Sequence, residues 1–126
     1  MHERQQLGGA GEAAAVNYLT SLGYRILFKN WHAGRYGEID IVASNNGSLV
    51  VVEVKTRQQI KFGYPENAVN RAKLKKLRLA AQSFMVSHPQ FDGPVRLEVI
   101  AIVVNTERVI VDLKHYQSLY LDDKFT

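Results

Sequence analysis

The run Val50-Val51-Val52-Glu53-Val54-Lys55 constrains the fold more than any other part of the chain. Its β-branched residues favour a strand. Side chains of a strand alternate between two faces, so Val50, Val52 and Val54 point one way and Val51, Glu53 and Lys55 the other. Apart from the two charges both faces are apolar, the pattern of a strand covered on both sides. A carboxylate and an ammonium in that position need a charge partner or a metal. The chain must therefore place layers on both faces of a sheet, and Glu53 and Lys55 must be accounted for.

The flanking segments supply those layers. Tyr24 to Trp31, Tyr36 to Ala43 and Leu49 to Thr56 read as strands, the last two joined by Asn46-Gly47. Before them, Glu3 to Leu22 reads as a helix with Ala15, Tyr18, Leu19 and Leu22 on one stripe; Gly23 is placed to end it, and the glycines at 8, 9 and 11 blur its start. A turn-rich stretch with Gly63 and Pro65 leads to a second helix over 66–86, in which Leu74, Leu77, Ala81 and Phe84 share a face and which His88-Pro89 closes. Val95 to Val104 and Val109 to Leu113 are two more strands around a turn near Asn105-Thr106, and a polar tail follows from Lys114. The order αβββαββ predicts an α/β fold, a mixed sheet flanked by helices. With 126 residues the expectation is one domain, 1–126, with its core over about 8–113.

Register brings the charges together. In Gly37-Glu38-Ile39-Asp40-Ile41-Val42, Glu38, Asp40 and Val42 are expected on one face and Ile39 and Ile41 on the other. A two-residue turn at Asn46-Gly47 sets Asn45 opposite Ser48, Asp40 opposite Glu53 and Glu38 opposite Lys55. Opposed Cβ atoms lie roughly 4.5–5.5 Å apart, where two like charges are destabilising unless a cation intervenes. Mg²⁺ suits such a pair, because it takes oxygen ligands and commonly only one or two protein carboxylates. A bound ion would activate water and polarise a phosphate, while Lys55 orients that water or offsets charge on phosphorus, which suits phosphodiester hydrolysis. Glu12, within about 20° of Leu19 on a helical wheel, is placed to complete the ligand shell. The competing reading is a salt-bridged hairpin, with Glu38 paired to Lys55 and Asp40 held by Arg35 or Arg57, in a purely structural sheet.

Composition narrows the alternatives. Cysteine is absent, which excludes disulfides and thiolate zinc sites, and His2, His32, His88 and His115 lack metal-ligand spacing. No run approaches the roughly 20 apolar residues of a membrane span, and the polar start from Met1 to Gln6 lacks the apolar core of a signal peptide, so a cytoplasmic protein is expected. The formal charge of +4 favours polyanionic partners. On the second helix Arg71, Lys75 and Arg78 recur at i, i+4 and i+7 as a phosphate-binding ridge, with Lys73 and Lys76 pointing elsewhere. Arg57, Lys61 and Tyr64 are further candidates for phosphate and base contacts, whereas Trp31 reads as a packing anchor. Gly8-Gly9-Ala10-Gly11 lacks the Gly-Lys-Ser/Thr of a nucleotide loop and follows no strand.

Gly11-Glu12, Asn30-Trp31, Gly37-Glu38-Ile39-Asp40, Val52-Glu53-Val54-Lys55-Thr56-Arg57, Phe62-Gly63 and Arg96-Leu97-Glu98-Val99, in this order between about Gly8 and Val104, resemble the bacterial YraN-like family, which is functionally uncharacterised. That family looks like a member of the restriction-endonuclease-like PD-(D/E)XK superfamily and is similar in motif order to archaeal Holliday-junction resolvases. The resemblance implies a restriction-endonuclease-like fold and a Mg²⁺- or Mn²⁺-dependent endonuclease acting on DNA, including branched DNA. It implies Asp40 and Glu53 as metal ligands, Lys55 as catalytic lysine, Glu12 as the helix-borne acid near the metal, Glu38 in support, and a homodimer. Glu98 stands where the family pattern leads us to expect aspartate. Two other classes compete: a noncatalytic nucleic-acid-binding protein using the basic ridge, and an interaction protein whose site is completed in a larger assembly.

Overall fold

The computed structural model describes residues 3–58 and 70–119. The stretch with Lys61, Phe62, Gly63, Tyr64 and Pro65 lies outside them. The element order is α1 (Glu3–Ser21), β1 (Arg25–His32), a short 3₁₀ turn (Gly34–Tyr36), β2 (Glu38–Asn45), β3 (Ser48–Gln58), α2 (Arg71–Ser87), β4 (Val95–Val104) and β5 (Ile110–Leu119). The strands form one five-stranded sheet in sequential order, β1-β2-β3-β4-β5. Only β3 and β4 run parallel; the other pairs are antiparallel. α2 makes the crossover between the parallel pair, as such a connection requires.

The valine strand is covered on both faces, as its composition demands. Val50, Val51 and Val52 are fully buried, and each such side chain contributes roughly 1.5–3 kcal/mol. Ala15 and Leu19 of α1 pack on one face with Ile41, Val50, Val52 and Ile100. Leu77, Ala80, Ala81 and Phe84 of α2 pack on the other with Val42, Leu49, Val51 and Leu97. α1 runs through the three glycines, and Gly11 is there for contact: a Cβ would collide with the Thr56 side chain of β3. Gly23, at φ 91, ends the chain's passage out of that helix. Trp31 meets Phe84 edge-on at 5.2 Å between ring centres, the packing role its sequence context suggested.

Several boundaries differ from expectation. β2 starts at Glu38 because Gly34–Tyr36 winds into a 3₁₀ turn first. Leu22 lies beyond the end of α1 and is 48% exposed. α2 begins at Arg71, where the Asn70 side chain caps it by accepting from the Lys73 N–H at 3.0 Å; of the helix expected over 66–86, residues 66–69 lie outside the described set. β5 continues from Lys114 to Leu119, so the expected polar tail begins as an edge strand paired to β4. Among the described residues no helix is long and apolar enough to cross a membrane.

Candidate functional site

The Asn46-Gly47 turn has φ of 50 and 79 at its two residues, the geometry of a type I′ hairpin, and it sets Asn45 opposite Ser48 as expected. The β2–β3 ladder then runs only as far as Ile41 opposite Val52. Neither Asp40 with Glu53 nor Glu38 with Lys55 forms a ladder pair. Asp40 Oδ2 instead accepts the backbone N–H of Val54 at 2.8 Å, so a side chain replaces the next rung and the two strands part there. The alternation breaks at the same residue. Ile41 faces α1 while Ile39 joins the core under α2, contrary to the expectation that both share a face. On β1 the residue opposite Asp40 is Asn30, between the pairs Lys29–Ile41 and Trp31–Ile39, and it adopts φ 54.

This parting of β2 from β3 is where the two helices, on opposite faces, both reach the acids. From α1, half-buried Glu12 accepts a hydrogen bond from the Asn30 side chain; burial, Glu38 and Glu53 raise its pKa. On β2, burial first and then Glu53 and Glu12 push the Asp40 pKa up to about 7, against the Val54 N–H and Lys55, which lower it. On β3, Glu53 is 4% exposed, with Lys55 Nζ at 3.6 Å and Lys73 Nζ of α2 at 3.4 Å from the same oxygen, Oε1. Glu38 is exposed at the mouth, where Tyr36, Glu38, Glu53, Lys73 and Lys76 line a small cleft.

The structure thus draws Glu12, Asp40, Glu53 and Lys55 into one electrostatic neighbourhood by a route the register argument did not foresee. Lys55 pairs with Glu53 rather than Glu38, and the Arg35 guanidinium lies over the Tyr36 ring at 5.1 Å, so the Glu38–Lys55 pair of the competing reading is replaced by a Glu53–Lys55 pair. Lys73 and Lys76, expected to point away, face the acids. The signal was present: Lys73, Leu77, Ala80 and Phe84 recur at i, i+4, i+7 and i+11, which puts a lysine at the head of the buried stripe. Reading the stripe from Leu74 concealed it, and Leu74 is only half-buried. Of the expected phosphate contacts, Arg57, Arg71 and Lys75 are exposed and Arg78 is half-buried.

Fit to a divalent cation can be judged from the donors. Among the described residues no three of His, Asp and Glu are arranged as a ready metal cage. Mg²⁺ and Mn²⁺ do not require one, since one or two carboxylates with water and substrate oxygens complete an octahedron. Asp40, whose pKa is raised by burial and then by Glu53 and Glu12, stands beside buried Glu53, and their hard oxygen donors fit that class of ion.

A second carboxylate lies one strand over. Glu98 of β4 pairs in register with Val52, is fully buried, and shares the α1 face with Tyr24. Its Oε1 lies 2.9 Å from the Tyr24 hydroxyl and 2.8 Å from His115 Nε2, and its Oε2 accepts from Arg96 Nε at 3.1 Å. His115 Nδ1 is 3.2 Å from the Tyr18 hydroxyl; a neutral ring protonated at Nε2 satisfies both contacts. Arg96 also donates to the Asn45 side chain at 2.9 Å. Burial acts to raise the Glu98 pKa, but the hydrogen bonds from His115, Tyr24 and Arg96 outweigh it and hold it below the ordinary 4.5.

Residues 11–102 match the model of a family described as "Uncharacterised protein family UPF0102". The chain is 46% identical over 103 residues to a UPF0102 protein of Bacteroides thetaiotaomicron, covering 82% of this chain and 84% of that one. A UPF0102 protein of Clavibacter michiganensis is 42% identical over 103 residues (82% and 86%), and one of Caldicellulosiruptor saccharolyticus 34% over 110 residues (87% and 92%). The matched span contains Glu12, Asp40, Glu53, Lys55, Lys73 and Glu98, and the chain belongs to the UPF0102 family, the YraN-like family its motifs resemble.

Proposed function

We propose that this protein is a Mg²⁺- or Mn²⁺-dependent nuclease hydrolysing phosphodiester bonds in DNA, branched DNA included, on a restriction-endonuclease-like arrangement of its mixed sheet. The observation that carries the reading is the parting of β2 from β3 at Asp40, which sets Asp40, its pKa pushed up to about 7, beside Glu53 and Lys55. Asp40 and Glu53, with Glu12 adjacent, are the residues that would hold the ion. The bound cation would supply an activated water and Lewis-acid stabilisation of the phosphate.

The chain's own groups set the geometry. The Val54 N–H fixes Oδ2 of Asp40. Asp40, with a pKa of about 7, gives up its proton readily when a cation arrives near neutral pH. Lys55, one-third exposed and tethered to Glu53, is placed to hold the attacking water and to offset charge on the phosphate oxygens. The water gives up one proton as its oxygen bonds to phosphorus, the bond from phosphorus to one sugar oxygen breaks, and that oxygen takes up a proton from solvent, so that water is consumed and no net proton is left over. Arg57, Arg71, Lys75 and Arg78 would take flanking phosphates.

The noncatalytic reading, a nucleic-acid-binding protein with this fold, draws support from the two lysines that already compensate Glu53. One experiment separates the two. Labelled duplex, single-stranded and four-way-junction DNA are incubated with Mg²⁺ or Mn²⁺ and either the protein or its Asp40→Asn variant. Cleavage that disappears in the variant is expected. DNA binding without product, indifferent to chelator, would replace the nuclease with the binding module.

A further inference from the structure

Lys73 is the residue that neither the motifs nor the proposed hydrolysis uses. It occupies the third position of α2, near the positive end of the helix dipole, where a cation is disfavoured, and the first turn holds no acid to compensate it. It points inward nonetheless, at the head of the stripe that continues through buried Leu77, Ala80 and Phe84.

Its contact is loose. Charge-assisted N–H···O bonds usually measure roughly 2.7–2.9 Å, whereas Lys73 and Lys55 stand 3.4 and 3.6 Å from Glu53 Oε1. Both crowd the same oxygen, and among the described residues no side-chain hydrogen bond to this carboxylate accompanies them. The Lys73 side chain is 37% exposed, against 5% for Glu53, so its ammonium can leave while the carboxylate cannot. The cleft beside it, with Tyr36, Glu38 and Lys76 on its walls, gives it somewhere to go.

We infer that Lys73 is an exchangeable lysine: it occupies Glu53 while the site holds no divalent cation, and gives up that oxygen to the ion and turns to a phosphate of the bound nucleic acid. The inference rests on the reading of Asp40 and Glu53 as metal ligands. Charge supplies the reason. An ammonium and a divalent ion repel across a shared oxygen, and the ammonium, on four rotatable methylenes, is the partner free to move. The phosphodiester, one negative charge per nucleotide, is its natural next partner. The lysine thereby couples the two binding events. In the empty site it competes with metal, and in the complex it grips substrate.

Mn²⁺ alone is titrated into the full chain without nucleic acid, for the wild type, Lys73→Gln, Lys73→Arg and Arg25→Gln, the last removing an exposed charge far along β1 from the site. Binding of a short DNA duplex is then measured in Mn²⁺ on the Lys55→Ala background to block turnover. Lys73→Gln is expected to bind Mn²⁺ about fivefold tighter and the duplex about fivefold more weakly, with a salt slope shallower by about one unit. Lys73→Arg and Arg25→Gln are expected to keep wild-type Mn²⁺ affinity. Mn²⁺ binding that depends on Asp40 but is the same in Lys73→Gln as in wild type overturns the inference and leaves the metal site standing. Mn²⁺ binding that is equally weak in wild type and Asp40→Asn overturns the metal reading itself, and this inference with it.

Discussion

Glu53 and Glu98 are the two buried acids among the described residues of the sheet, in adjacent strands and nearly in register, and they are solved in opposite ways. Glu98 receives three close hydrogen bonds from His115, Tyr24 and Arg96, at 2.8, 2.9 and 3.1 Å, and its pKa falls. Glu53 has two ammonium groups at the longer distances of 3.4 and 3.6 Å, and its charge, after burial, helps to push the pKa of neighbouring Asp40 up to about 7. The acid with complete partners stabilises the sheet. The looser pair leaves unfavourable electrostatics in place, seen in the raised pKa of Asp40. Burial alone therefore does not tell the two acids apart; the closeness of their partners among the described residues does.

The largest test of this contrast is catalytic. Asp40→Asn and Glu53→Gln are expected to reduce DNA cleavage by on the order of 10³-fold or more, about 4 kcal/mol, and to weaken Mn²⁺ binding, whereas Lys55→Ala loses turnover and keeps the metal. A fully active Glu53→Gln enzyme would remove Glu53 from the mechanism.

Next in size is the structural acid. Glu98→Ala leaves Arg96 without its buried partner and is expected to lower stability by about 3–5 kcal/mol in denaturant titration, with Mn²⁺ affinity within about twofold of wild type. The Glu98 contribution should also carry a pH signature. A lowered pKa means stability present above the ordinary value of 4.5 and lost as pH falls through the folded value, so Glu98→Gln should flatten the acid limb of the unfolding profile. Loss of metal binding in a stable Glu98→Ala protein would break the division of labour between the two acids.

Asp40 supplies the opposite sign. Its folded pKa is raised from 3.8 to about 7, so its stabilising contribution is complete below pH 3.8 and disappears as pH rises through 7. In metal-free buffer Asp40→Asn is expected to match wild type near pH 4 and to melt several degrees higher at pH 8, at roughly 3–5 °C per kcal/mol for a chain of this size. Excess Mn²⁺ should cancel the advantage. A wild type as stable as the variant at pH 8 without metal would show that Asp40 carries no stored strain. The smallest effect belongs to Tyr18→Phe, which removes one hydrogen bond to His115 at a cost of about 1 kcal/mol, read from the denaturation midpoint.

What the sequence determined about this protein is whatever depends on local periodicity. The valine strand had to be covered on both faces, Asn46-Gly47 had to form the hairpin, Val95 to Val104 had to be a strand, and Glu53 and Lys55 had to share a face. Asp40 and Glu53 were legible as neighbours from the short turn, although the ladder pair it predicted between them does not form. Tertiary structure decided the rest. The strands part at Asp40, where a carboxylate takes the place of a ladder rung, and no alternation rule encodes that break. Lys73 and Asn30 join the site through the rotation of α2 on the sheet and the positive φ at residue 30. His115 seemed part of a polar tail until β5 extended beside β4 and brought it 97 residues along the chain from its partner Tyr18. The physical reason is one of range: strand and helix periods act over a few residues, whereas the partners that complete a buried charge are chosen by packing between segments far apart in sequence.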